Sequence, residues 1–239
     1  MVLTKLIKPT VLACAMLAAA PSVMAEHLPP YDILGLTTGI PLEEAHSTLI
    51  EQGWRVKNEN AFVIRGTDIE YVQDRTYEKG AETMHIEYTL PPTQQSLMKI
   101  SRSTPVGGSG ALVTLDTLQS GLVQRYGPYQ HEHMRSAGGR LQWFDGADAE
   151  RCATTGSPNA FLVRHHGGTA AVSNCDGYFL SVQIWAQTRN IGPVVSRMTQ
   201  TLVDVYELPE NYLRFERYAA EEIAAAERRQ TEGAELPPL

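Results

Sequence analysis

Apolar and polar side chains alternate along several stretches of the chain, and this alternation predicts a protein made largely of β-strands. The clearest stretch is 84–90, where Met84, Ile86, Tyr88 and Leu90 are separated by polar residues. An apolar residue at every second position is typical of a strand that is buried on one face. By the same reasoning, further strands are predicted at 61–65, 69–73, 97–103, 141–144, 160–164, 169–175, 178–186 and 194–205.

Three segments have a helical pattern instead. Residues 41–52 repeat apolar side chains at three- and four-residue spacing, with proline at the first position and glycine after the last, as is common at helix ends. Residues 115–126 carry a similar apolar stripe and end at Gly127-Pro128. From 212 to about 232 the chain is rich in Ala, Glu and Arg, which favours a charged C-terminal helix.

The order of these elements indicates the fold class. Each of the two short helices precedes a series of antiparallel strands, and a glycine-rich joint lies between the two series. We therefore predict an α+β protein of two helix-plus-antiparallel-meander halves, with separate sheets or a shared one, followed by a charged C-terminal helix. The predicted segments are a leader at 1–25, a first half at 26–106, a second half at 111–208 and the C-terminal helix and tail at 209–239.

The first 25 residues have the composition of a secretory signal. Two lysines precede an uncharged apolar run, and Val23-Met24-Ala25 offers side chains that a signal peptidase accepts. The run has about 11 residues, fewer than the roughly 20 of a membrane-spanning helix. We predict cleavage near Ala25 and a periplasmic or secreted protein. Lipidation at Cys14, which follows a weak lipobox-like sequence, is the alternative.

Charge narrows the class of partner. Cleavage after Ala25 removes two lysines and no acid, so 18 basic and 27 acidic residues remain of the original 20 and 27. An acidic surface repels nucleic-acid phosphates and anionic membrane surfaces. We therefore expect no nucleic acid and no stable membrane span, and another exported or periplasmic protein as partner.

Cysteine usage agrees with export. After the leader is removed, Cys152 and Cys175 remain, and an even number in an oxidising compartment favours one disulfide bond. Neither residue belongs to a C-x-x-C pair, so a zinc site is the weaker interpretation.

A partial catalytic motif occurs at the glycine-rich joint. Residues 107–111, Gly-Gly-Ser-Gly-Ala, are one residue short of the G-x-S-x-G turn of serine hydrolases. Catalysis would require Ser109 within hydrogen-bond reach of a histidine such as His131 or His165. A flexible joint explains the same residues without chemistry. We predict no catalytic residue, with a secreted serine hydrolase as the alternative.

Metal-ligating residue types are present but sparse. His131-Glu132-His133 places two imidazoles on one side if this part of the chain is extended, whereas a metal site needs three or four ligands. We expect surface histidines in a polar loop. Asp145, Asp148 and Glu150 lack the alternating acids of a calcium loop. The prediction is no metal and no cofactor.

Aromatic side chains are the stronger indication of a binding role. They lie on or beside the predicted strands, and some must belong to the core. Those on an outer sheet face could anchor a protein partner. The candidates for this surface are Trp54, Tyr71, Tyr88, Trp143 and Trp185.

A resemblance to known families supports the same role. The segment 35–45, Gly-Leu-Thr-Thr-Gly-Ile-Pro-Leu-Glu-Glu-Ala, with Leu49 and Gly53, resembles the opening of the SmpA/OmlA (BamE-like) family, and the two-part plan is similar to the tandem copies of the beta-lactamase inhibitor protein. The chain also resembles uncharacterised bacterial exported proteins with a Tyr126-Gly127-Pro128 helix end, Trp143 and late cysteines. The resemblance implies a fold that holds protein partners. We expect a non-catalytic binding or assembly module, with an inhibitor of an exported enzyme as a special case.

The predicted disulfide has a direct test. A bridge between Cys152 and Cys175 would close the loop between these two residues and stabilise the protein by about 3 kcal/mol, because it restricts the unfolded chain. Cys175→Ala should therefore lower the melting temperature under oxidising conditions and leave it unchanged under reducing ones. If the wild-type protein and the variant melt at the same temperature under oxidising conditions as well, the bridge is contradicted.

Overall fold

Three helices and eight strands make up the part of the chain that the computed structural model describes, namely residues 31–107, 112–135, 137–146, 177–189, 192–205 and 207–232, without the side chains of 207–209. In chain order they are α1 (Leu42–Glu51), β1 (Arg55–Val63), β2 (Glu70–Lys79), β3 (Glu82–Tyr88), β4 (Leu97–Pro105), α2 (Leu115–Tyr126), β5 (His131–Arg135), β6 (Gly138–Asp145), β7 (Tyr178–Arg189), β8 (Gly192–Asp204) and α3 (Glu207–Glu232).

The eight strands form one antiparallel sheet in the order β1-β2-β3-β4-β8-β7-β6-β5. The first four strands are sequential neighbours, and the last strand of the chain returns to pair with β4 from Lys99 opposite Val203 to Pro105 opposite Arg197. The predicted plan of two helix-plus-meander halves is therefore wrong, because one sheet joins all eight strands and a single core cluster contains buried residues of β2 to β4 as well as of β6 to β8. Only the general class, helices together with an antiparallel sheet, agrees loosely with the prediction.

A hydrophobic row crosses the middle of the sheet and forms the centre of the core. It consists of directly paired residues on five adjacent strands, each at most 1% exposed. Paired residues of an antiparallel sheet have side chains on the same face, so these side chains pack side by side. In order, the row is Ile86, Ile100, Leu202, Leu180 and Trp143.

The two short helices cover this face of the sheet. Leu42, Ala45 and Leu49 of α1 are buried in the same core, and Leu122 contributes from α2. The side chain of Thr114 caps α2 by accepting a hydrogen bond from the Thr117 amide at 3.3 Å. The helices predicted at 41–52 and 115–126 are confirmed.

The third helix packs on the opposite face, at the end of the sheet where β8 finishes. Tyr212 joins a second buried cluster with Phe179 and Val203, and Phe215 contacts the Tyr71 ring at 5.0 Å between centroids. Asn211 is fully buried and holds the helix in place, since its side chain accepts from the Leu90 amide at 2.7 Å and donates to the Leu90 carbonyl at 3.2 Å. The predicted C-terminal helix is confirmed, beginning five residues earlier than expected.

Several sequence predictions lie outside the described residues. They concern the leader and its cleavage near Ala25, Ser109, His165, the Cys152–Cys175 bridge and the strands at 160–164 and 169–175. Within the described ranges, no helix combines the length and the apolar composition that crossing a bilayer requires.

The hydrophobic row should control global stability. Leu202→Ala removes a buried side chain at the junction of β4 and β8, which typically costs about 2–5 kcal/mol. We expect a loss of that size in urea unfolding, in a single transition, because the core is continuous. Leu112→Ala is a matched control, since Leu112 is 49% exposed; it should change stability by less than about 0.5 kcal/mol. Equal effects in the two variants would contradict the role of the row.

Candidate functional site

The two buried clusters identify which side chains belong to which face of the sheet. Leu180 and Leu202 pack with the core under α1 and α2, whereas Phe179 and Val203 pack with α3. Successive residues of a strand point to opposite faces. The face that carries Phe179 and Val203 is called here the open face, because α3 is the only described element that packs on it, and α3 packs on its end.

Beyond α3, rows of paired polar residues cross the open face from strand to strand. Most of their residues are partly or fully exposed, whereas Ser181 and Gly138 are buried. The first row is Thr76, His85, Ser101, Thr201, Ser181, Gln142 and His131. The second row is Glu78, Thr83, Ser103, Thr199, Gln183, Arg140 and His133. A third row crosses four of the strands and consists of Arg197, Trp185, Gly138 and Arg135.

Short hydroxyl side chains occupy the centre of the open face. Ser101 on β4 and Thr201 on β8 are paired across the central junction, with their hydroxyl oxygens 3.2 Å apart. Ser103 and Thr199 occupy the equivalent positions in the next row. Side chains of this size leave the central strands accessible, and each hydroxyl can both donate and accept a hydrogen bond.

A compact charged cluster lies between these rows and α3. Lys99 forms an ion pair with Glu87, and the imidazole of His85 lies 3.6 Å from Glu87 and 3.8 Å from Asp74. Burial opposes ionisation of Glu87, but the contacts with His85 and Lys99 outweigh it and lower the pKa of this carboxyl group. Asn60 donates to Asp74 at 2.9 Å. The acidic side chains of this cluster are thus compensated within the protein.

A groove of about 440 Å³ lies on the other side of the open face from the charged cluster, along β5, β6 and β7. Its lining includes His131, His133, Arg140, Gln142 and Gln183. The two imidazoles lie on the same side of an extended segment, as the sequence indicated, but the segment is an edge strand and not the predicted loop. Across the described residues, no three potential metal ligands converge.

Most of the aromatic residues predicted for a binding surface are in the core. Trp54, Tyr88 and Trp143 are at most 2% exposed and pack under the helices. Tyr71 is partly buried against α3. Of the five candidates only Trp185, which is 39% exposed, lies on the free part of the open face.

The polar rows themselves were not predicted from the sequence. Ser101, Thr199, Thr201, Gln183 and Arg140 are ordinary residues in the sequence and become a surface only through strand pairing. The one signal in the sequence was that β4, β7 and β8 carry a polar residue at every second position. That signal marks an exposed face but does not say which strands share it.

Comparisons of the chain with protein-family models, with curated proteins and with solved structures found no match.

The charged cluster should make stability depend on pH. The pKa of Glu87 is lower in the folded protein than in the unfolded chain, so its stabilising contribution is present above the unfolded value of about 4.3 and is lost as pH falls through the folded value. Glu87→Gln should therefore destabilise the protein at about pH 7 and much less at about pH 3, measured by urea unfolding. Glu70→Gln, at the exposed first position of β2, is the control and should change stability by less than about 0.5 kcal/mol at either pH. A Glu87→Gln effect that is independent of pH would contradict this assignment.

Proposed function

We propose that this protein is a non-catalytic binding module that works outside the cytoplasm and contacts a partner protein through the open face of its sheet. The observation that supports this most directly is the continuity of the polar rows. The first and second rows extend over seven strands, and most of their residues remain partly exposed beside α3, the one described helix on this face.

The dimensions of this surface suit a protein partner. The rows extend over about 29 Å across the strands and about 14 Å along them, from the usual strand and residue spacings. The rows thus cover roughly 400 Å² in projection, about half of the 800 Å² that a standard protein interface buries on each partner, so they suit the centre of such an interface.

The composition of the surface also suits recognition. Arginine and tryptophan contribute most to binding energy in protein interfaces, and both are present in the third row, where Trp185 lies opposite Arg197. The hydroxyl groups and amides around them can supply the polar contacts of an interface rim. The N-terminal leader predicted from sequence supports an exported or periplasmic protein as the partner.

Site-specific photo-crosslinking tests the proposal. Benzoylphenylalanine at Thr199 and at Gln183, both in the second row, should give a covalent adduct with a distinct protein in cells that export the chain. The same group at Glu51 of α1 and Asp116 of α2, exposed positions on the helix side, should give none. Mass spectrometry identifies the partner, and a single exported enzyme would indicate an inhibitor. Adducts only at the helix positions, or equally at all four, would contradict the proposal.

A further inference from the structure

Charge is distributed unequally over the open face. Three arginines and two histidines lie on its β5 to β8 part, and the three rows contain no carboxylate there. We call this surface the basic patch and define it as His131, His133, Arg135, Arg140, Trp185 and Arg197.

The acidic side chains on the β1 to β4 part already have partners. Glu78 lies 3.2 Å from Arg55 and 3.8 Å from Lys57, and Glu87 pairs with Lys99. These carboxylates need no external cation.

The arginines of the basic patch differ in this respect. Among the described residues, Arg135, Arg140 and Arg197 have no ion pair and no side-chain hydrogen bond. One acid, Glu132, lines the groove together with Arg140. Its carboxylate accepts hydrogen bonds from Tyr129 at 2.7 Å and Gln119 at 3.3 Å, on the helix side of the sheet.

The sign of this patch is opposite to that of the whole chain, whose formal net charge is −7. A basic surface without ion pairs to any described residue, on an acidic protein, offers charge complementarity to an anionic partner. Arg197 and Arg135 are three strand spacings apart, about 14 Å, and Arg140 lies in the next row, about 7 Å along the strands. Arginines whose backbone positions are that far apart suit several separate anionic groups better than one small anion.

We propose that the basic patch recognises an acidic segment of the partner protein, with carboxylate side chains paired to Arg135, Arg140 and Arg197 and an apolar residue against Trp185. This inference rests on the proposed function of the open face. A nucleic acid is the less suitable polyanion, because the negative charge of the chain repels a long phosphate backbone.

Arginine variants of the photo-crosslinking protein test the inference. With benzoylphenylalanine at Thr199, the triple variant Arg135→Gln, Arg140→Gln, Arg197→Gln should reduce the adduct about tenfold. The control triple variant Arg65→Gln, Arg217→Gln, Arg228→Gln removes the same charge from exposed positions outside the patch and should keep the adduct. Circular dichroism and urea unfolding establish that both variants are folded.

The outcomes separate the two proposals. No adduct at Thr199 in the parent protein contradicts the proposed function, and with it this inference. An adduct that persists in the patch variant, or falls equally in both variants, contradicts only the inference. A crosslinked partner peptide without Asp or Glu near the attachment point also overturns it.

A defined probe gives a second test with the purified full chain. Trp185 is the accessible tryptophan, since Trp54 and Trp143 are at most 2% exposed, so acrylamide quenching of tryptophan fluorescence reports on the patch. A peptide of alternating Glu and Ser should protect Trp185, and the matched Gln and Ser peptide should not. The proposal of an acidic protein segment is overturned if the acidic peptide does not protect Trp185 from acrylamide. It is also overturned if an oligothymidylate of the same charge protects Trp185 equally well.

Discussion

The pairing of β4 with β8 is the interaction on which the rest of the structure depends. It joins residues such as Ser101 and Thr201 that are 100 positions apart in the chain. Bringing such distant segments together has an entropic cost that local hydrogen bonds do not offset by themselves. The hydrophobic row supplies the missing stabilisation, because Ile100 and Leu202 are fully buried at this junction. The order of all other strands follows outward from it.

This junction also determines which face of the sheet is covered. Both α1 and α2 contribute to the core on the side of Ile100 and Leu202, so the helices share one face. Of the elements that the structure describes, only α3 packs on the other face, where Asn211 and Tyr212 hold it at the end of the sheet. Antiparallel sheets tolerate a solvated face when its outward residues are polar. The polar rows satisfy that condition, and they are what remains available to a partner.

Local patterns in the sequence predicted the elements but not their arrangement. The helices at 41–52 and 115–126 and the strand at 84–90 carry their periodicity within a short window, so they were predicted closely. The single sheet was not, because no local pattern encodes the pairing of β4 with β8. The sequence also does not show which tryptophans are buried, because this depends on the register of the strands. In the folded sheet Trp143 lies opposite Leu180, and Trp185 lies opposite Arg197. Strand β5 was missed because an edge strand such as His-Glu-His-Met-Arg buries too little to show an apolar alternation.

The edges of the sheet are less suited to a partner than its open face. Strand β1 is long and exposed, but it carries Arg55, Lys57 and Glu59 and has two irregularities in its pairing with β2. Charges and bulges on an edge oppose the addition of a further strand. Strand β5 at the other edge has only five residues. A face of short polar side chains does not drive association through apolar area, so binding there must depend on a few anchors and on charge. The arginines beside Trp185, which have no ion pair among the described residues, supply both, so the proposed recognition of a partner depends on that part of the sheet.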